Sequence, residues 1–106
     1  MSAVIAISRF RVPGDPSGFE ATATEVVAHF QGCPGSRGAE LVRNLDEPEL
    51  WALLSRWSDV GSYRRAFNGT PAKLLLIPLL SLAIDEPSAF AAPADVGENR
   101  PRGSLS

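Results

Sequence analysis

The sequence predicts an α+β domain, a single four-stranded antiparallel sheet with two helices on one face, and three observations carry that prediction. The stretch LWALLSRW sets Trp51, Leu53, Ser55 and Trp57 against Ala52, Leu54 and Arg56, the period-two pattern of a strand with two different faces. It runs directly into Ser58 and Asp59, both good helix N-cap types, after which Val60, Tyr63 and Phe67 recur at helical spacing. An earlier alternating segment, a Pro/Gly/Asp turn and a second amphipathic segment repeat the same strand-to-helix plan.

In residues 3–12, Val4, Ala6, Ser8 and Phe10 alternate with Ile5, Ile7, Arg9 and Arg11. Both faces begin apolar and only the second becomes charged, which predicts a central strand. Pro13, Gly14, Asp15 and Pro16 form a turn in which Asp15 caps a helix and Pro16 takes its first position, where a missing N–H costs nothing. Phe19, Ala23, Val26, Val27 and Phe30 share one side of that helix and are expected to cover the sheet.

Gly32, Cys33, Pro34 and Gly35 stop the helix. Residues 36–44 predict a second strand, with Ala39, Leu41 and Arg43 on one face and Glu40, Val42 and Asn44 on the other; the pattern leaves open which face is buried. Turn residues Asn44, Asp46, Glu47 and Pro48 then join it to the Trp51 strand as a hairpin. After Phe67, Asn68 and Gly69 end the second helix, Thr70 and Pro71 are expected to cap and open a short third one, and Pro78 is expected to break it. Residues 79–84, apolar on both faces, are expected to form the last strand.

This order, strand, helix, strand, strand, helix, strand, is the ferredoxin-like βαββαβ arrangement. Residues 1–90 are expected to form the domain, and residues 91–106, poor in large apolar side chains, a disordered or extended tail. The sheet face away from the helices carries Ile5, Ile7, Ala52 and Leu54, an apolar surface that predicts a homodimer with two sheets face to face. Arg9, Arg11 and Arg56 share that face and are expected to pair with acids across the interface or at its rim.

Composition narrows the function classes. A chain of 106 residues with a formal charge of −2 offers no electrostatic case for nucleic-acid binding. Cys33, the one cysteine, cannot form an internal disulfide, and no apolar run approaches the ~20 residues of a membrane span. The first residues, MSAVIAISRF, lack the basic segment and cleavage site of a signal peptide, so a soluble, cytoplasmic protein is expected. No metal-ligand spacing, Ser-His-Asp set or phosphate-binding glycine loop is present. His29, the only imidazole, lies about 90° from the apolar stripe of its helix and is expected along the rim or outward.

The strand VIAISRFRVP, the Pro34-Gly35 turn before the second strand, LWALLSRW with Trp57 at its end, and the SYRRAF helix together resemble the antibiotic biosynthesis monooxygenase family of dimeric α+β barrel proteins. The resemblance covers residues 3–90. It implies chemistry without a cofactor: members oxidise phenolic or anthrone-type polycyclic compounds with O₂, the deprotonated substrate itself supplying the electron. Such a protein must hold a flat aromatic body between sheet and helices and place proton donors and acceptors beside the ionising oxygen. The resemblance suggests Trp57, Tyr63, Asn44 and Arg64 for catalysis, and Ser8, Phe10, Trp57 and Phe67 for substrate binding, with Trp57 readable equally as core packing. A haem-degrading branch of the family has Asn where this chain has Ser8, and an iron-ligating His after the second helix where this chain has none, so haem degradation is not expected. Two further readings stay open: a non-catalytic dimeric module binding a small aromatic ligand, and a polyketide cyclase-like protein.

Overall fold

A computed structural model describes residues 3–96. The elements are β1 (Val4–Arg11), α1 (Ser17–Gly32), β2 (Ser36–Arg43), β3 (Leu50–Trp57), α2 (Val60–Arg65), α3 (Thr70–Leu80), β4 (Ala89–Ala91) and a single turn of helix, α4 (Pro93–Val96). The sheet runs β2-β3-β1-β4, every pair antiparallel, and is open rather than closed. β1 is therefore central, as its doubly apolar start requires, and the architecture is the expected ferredoxin-like one.

Strand parity sorts the side chains. Val4, Phe10, Trp51, Leu53 and Trp57 are buried on the inner face beneath Ala23, Val26 and Phe30 of α1. Phe10 and Phe19 approach to 5.1 Å between ring centres, and Phe19 meets Trp51 edge-on at 5.5 Å. Ala39 is also buried and Leu41 packs beside it, so the face of β2 left open by its pattern is resolved: these two point toward the helices. Arg43 lies over the Trp51 ring at 4.6 Å, shielding it from water at the hairpin end.

Two expectations about the third helix and last strand are corrected. Residues 79–84 do not form a strand: α3 continues through Pro78 to Leu80, and β4 falls later, with Phe90 opposite Ile5. Pro78 costs the helix one N–H, but Ser81 N–H still bonds to the Ile77 carbonyl at 2.9 Å. Leu76 and Leu79, one helical turn apart, are both buried, and that burial outweighs the missing bond. The N-cap is Gly69, at φ 91°, rather than Thr70. At α1 the helix begins one residue after Pro16, and Asp15 accepts the Ser17 N–H at 3.0 Å.

The outer face is apolar at its centre, with Ile5, Val42 and Phe90 exposed and Ile7, Ala52 and Leu54 half-buried. The three arginines on it find acids within the same chain: Arg9 with Glu86 at 2.7 Å, Arg11 with Glu47 at 3.1 Å and Arg56 with Glu40 at 3.5 Å. Of the expected tail, Ala91 ends β4 and residues 93–96 form α4, while residues 97–106 lie outside the described residues. No helix among the described residues is long and apolar enough to cross a membrane.

Candidate functional site

The register of β1 on β3 creates a hollow. Val4 pairs with Trp57 and Phe10 with Trp51, so both ends of the inner face carry large side chains. Between them Ala6 pairs with Ser55 and Ser8 with Leu53, leaving a patch of small residues that the helices above cannot fill. The result is a cavity of about 440 Å³. Its floor is Ala6, Ser8, Leu53 and Ser55; its roof is aromatic, with Phe30 from α1, Tyr63 from α2 and Phe67 just beyond it. The end of α3 and the segment from Ala83 to Glu86, with Ser88, form the open side, which Asp85 and Glu86 line.

Local sequence places each roof residue. Asp59 accepts the Ser62 N–H at 2.7 Å and so caps α2, as expected of an acid at that position. The backbone N–H of Ser62, then the hydroxyls of Ser62 and Ser58 and the nearby Arg65, hold the Asp59 carboxyl below its ordinary range. A carboxyl lowered on folding stabilises above its unfolded value, and this contribution fades only as the pH falls through the lowered one. Behind the cap, Ser58 N–H bonds to the Gly35 carbonyl at 2.8 Å, docking the start of α2 on the turn before β2. Gly35 has φ 85°, and a Cβ there would collide with Ser62, so the close approach of turn and helix requires glycine.

Trp57 does not line the cavity. It is 0 % exposed, meets Phe30 edge-on at 5.6 Å and Tyr63 at 6.1 Å, and donates its indole N–H to Ser55 Oγ at 2.8 Å. The indole stands one layer behind the wall and orients a hydroxyl that is in it. Because Ser55 Oγ accepts from the indole, its own proton remains available to the cavity. The hydroxyls of Ser8 and Tyr63 make no hydrogen bond to another described residue, which leaves them free to engage a guest.

Of the other residues singled out from sequence, Tyr63, Phe67 and Ser8 are brought together on the cavity wall. Phe10 is buried against Phe19 beyond the cavity's end. Asn44 sits in the hairpin turn, its Oδ1 accepting from the N–H groups of Asp46 and Glu47 at 2.8 Å each. Arg64 is exposed beside a separate small groove shared with Val60 and Phe90. Of the two placements expected for His29, along the rim or outward, the structure has the rim: the residue is half-buried, and its Nε2 lies 3.0 Å from the Ala66 carbonyl and ties α1 to the end of α2. Burial pushes the Cys33 thiol up, and it donates to the His29 carbonyl at 3.3 Å. The sequence pattern does not mark Ser55, Asp85 and Glu86 as lining this cavity; for the two acids the reason is that a strand expected at residues 79–84 makes the cavity's open wall read as an outer turn.

Comparison with known proteins agrees with this fold. The family model described as antibiotic biosynthesis monooxygenase matches residues 3–73. Among solved structures, SnoaB, a cofactor-independent oxygenase from Streptomyces nogalater, is 27% identical with a TM-score of 0.73, covering 87% of this chain and 94% of that one. A conserved protein from Methanosarcina mazei Go1 is 20% identical with a TM-score of 0.69, covering 87% and 92%. Rv0793 from Mycobacterium tuberculosis is 17% identical with a TM-score of 0.65, covering 87% and 93%. The last two share the fold. No curated protein matches the chain.

Proposed function

The chain belongs to the antibiotic biosynthesis monooxygenase family, and from that premise we propose that it is a cofactor-independent monooxygenase-like protein whose substrate is a phenolic or anthrone-type polycyclic compound held in the cavity between sheet and helices. The observation that carries this reading is the run of small side chains, Ala6, Ser8 and Ser55, beneath the aromatic roof of Phe30, Tyr63 and Phe67. A cavity of about 440 Å³ falls within the usual range for small-molecule sites, and its few polar groups converge from opposite sides.

In this mechanism the aromatic body lies between floor and roof, and the hydroxyls of Ser8, Ser55 and Tyr63 donate to its oxygens. Donation to an oxygen that is becoming an anion lowers the cost of deprotonation. Asp85, exposed at the open side, takes the proton. The carbanion or phenolate then passes an electron to O₂, and for an anthrone the balance is one CH₂ group and one O₂ giving one C=O and one H₂O. Trp57 acts through Ser55, and Asn44 and Arg64 have no part in this arrangement. The apolar outer face supports a homodimer closed about a two-fold axis, which buries Ile5, Leu54 and Phe90 and leaves each cavity on the helical side.

The test is oxygen consumption by metal-stripped protein on addition of anthrone, with the product mass recorded. Uptake with a product carrying one more oxygen and two fewer hydrogens is the expected result. One observation favours a second reading, binding without turnover: among the described residues no His or Lys lines the cavity. Saturable binding of anthrone with no oxygen uptake would establish that reading, and a product of unchanged oxygen count from a poly-ketone would indicate a cyclase.

A further inference from the structure

Between α3 and β4 the chain returns along the free edge of β1. Ile84 N–H bonds to the Arg9 carbonyl at 2.8 Å, and Ile7 N–H bonds to the Ser88 carbonyl at 2.7 Å. Two residue steps on β1 are thus spanned by four on the returning segment. Asp85, Glu86 and Pro87 arch away from the sheet edge without a backbone bond to β1. Pro87 has no N–H to offer and Asp85 is exposed, so the arch needs a side-chain tether. It has one: Arg9 grips Glu86 with both prongs of its guanidinium, Nε to Oε2 at 2.7 Å and Nη2 to Oε1 at 2.8 Å.

The arch separates two hollows. On its inner side Glu86 and Ser88 close the candidate cavity, while on its outer side Glu86 and Pro87 border a recess of about 460 Å³ on the opposite face of the sheet, shared with Ile7, Arg9 and Phe90. Arg9 belongs only to the outer side. We propose that Arg9 is a positioning residue for the cavity: from the face that no guest touches, it holds through Glu86 the wall that retains a guest and sets Asp85 at the opening. The tether stands on the hydrogen bonds alone, and its consequence for a guest rests on the function proposed above.

Two measurements separate these layers. Amide hydrogen exchange at Ile84 and Ile7, the two ends of the arch, reports the tether without any ligand. Removing either partner, as Arg9→Met or Glu86→Gln, is expected to speed exchange at Ile84 by about tenfold through local opening, with the Ser55 amide in the sheet centre unchanged. The double variant should be no faster than either single one, and Arg9→Lys, which keeps the charge but loses the fork, should recover only part of the protection. In the unmodified protein ~1 M NaCl, where screening acts within about 3 Å, should move exchange in the same direction. The second measurement is the dissociation rate of 1,8-dihydroxyanthraquinone followed by fluorescence, expected to rise in the same order across the variants. Unchanged exchange at Ile84 in both single variants overturns the proposal, as does equal acceleration throughout the sheet, which would mark a general loss of stability. Should the probe fail to bind the unmodified protein while exchange behaves as stated, the cavity's function is refuted and the tether stands.

Discussion

Replacing Trp57 by Phe tests whether the indole works on the cavity through Ser55. The substitution removes the N–H that Ser55 Oγ accepts at 2.8 Å, a net loss of about 1 kcal/mol for a buried neutral hydrogen bond. The smaller ring also leaves a partial void where the indole met Phe30 and Tyr63, costing about another 1 kcal/mol because such cores relax incompletely. A total near 2 kcal/mol lowers Tm by roughly 8–16 °C in a domain of this size. Ser55→Ala reaches the same bond from the other end, leaving a buried indole N–H without an acceptor at a cost of about 1–3 kcal/mol. The double variant should therefore lose less than the sum, with a coupling energy of about 1 kcal/mol. Urea unfolding of the four proteins by far-ultraviolet circular dichroism, at one fixed protein concentration, measures the cycle without relying on the fluorophore being removed. Anthrone affinity should fall in Trp57→Phe while the oligomeric state stays unchanged. Strictly additive losses, or an affinity identical to the unmodified protein's, would refute the reasoning.

Gly35→Ala should cost about 2–4 kcal/mol, combining a left-handed backbone worth ~1–2 kcal/mol with the overpacking of Ser62, and Ser62→Gly should restore only the second part; chemical denaturation measures both. Ile5→Glu places an unpaired carboxylate on the outer face, clear of the cavity, and burying such a charge costs several kcal/mol, enough to weaken a dimer by about a thousandfold. Sedimentation velocity should then show a monomer, and a retained dimer would place the interface elsewhere.

The elements that could be read from sequence are those whose periodicity and punctuation agree. LWALLSRW has strict parity and ends at a helix cap, and α1 lies between Asp15 and the Gly32–Gly35 turn. The run LLLIPLLSLAI has neither: an apolar stretch of that length suits a strand or a buried helix, and Pro78 looks like a breaker. What decides it is the burial of Leu76 and Leu79, which is a tertiary fact. β4 has no pattern of its own, because Ala-Phe-Ala becomes a strand only through pairing with Val4–Ala6. The site follows the same division. Parity puts Ser8 on the side of β1 that carries Ala6 and Phe10, and Trp57 on the side of β3 that carries Trp51 and Leu53, but parity gives side and not depth, so it does not show that the indole lies behind Ser55. The small residues that make the hollow stand plainly in the sequence. Their coincidence across the β1–β3 ladder appears only once the register is known.

A hollow formed by omission is easily resized. Ala6→Val or Ser8→Thr would raise the floor, and Leu53→Val would deepen it, while the hairpin, the helix caps and the outer face keep their chemistry. On the function proposed above, guest size is set by a few neighbouring atoms, and chains of this fold change it through single-nucleotide steps without rebuilding the framework around them.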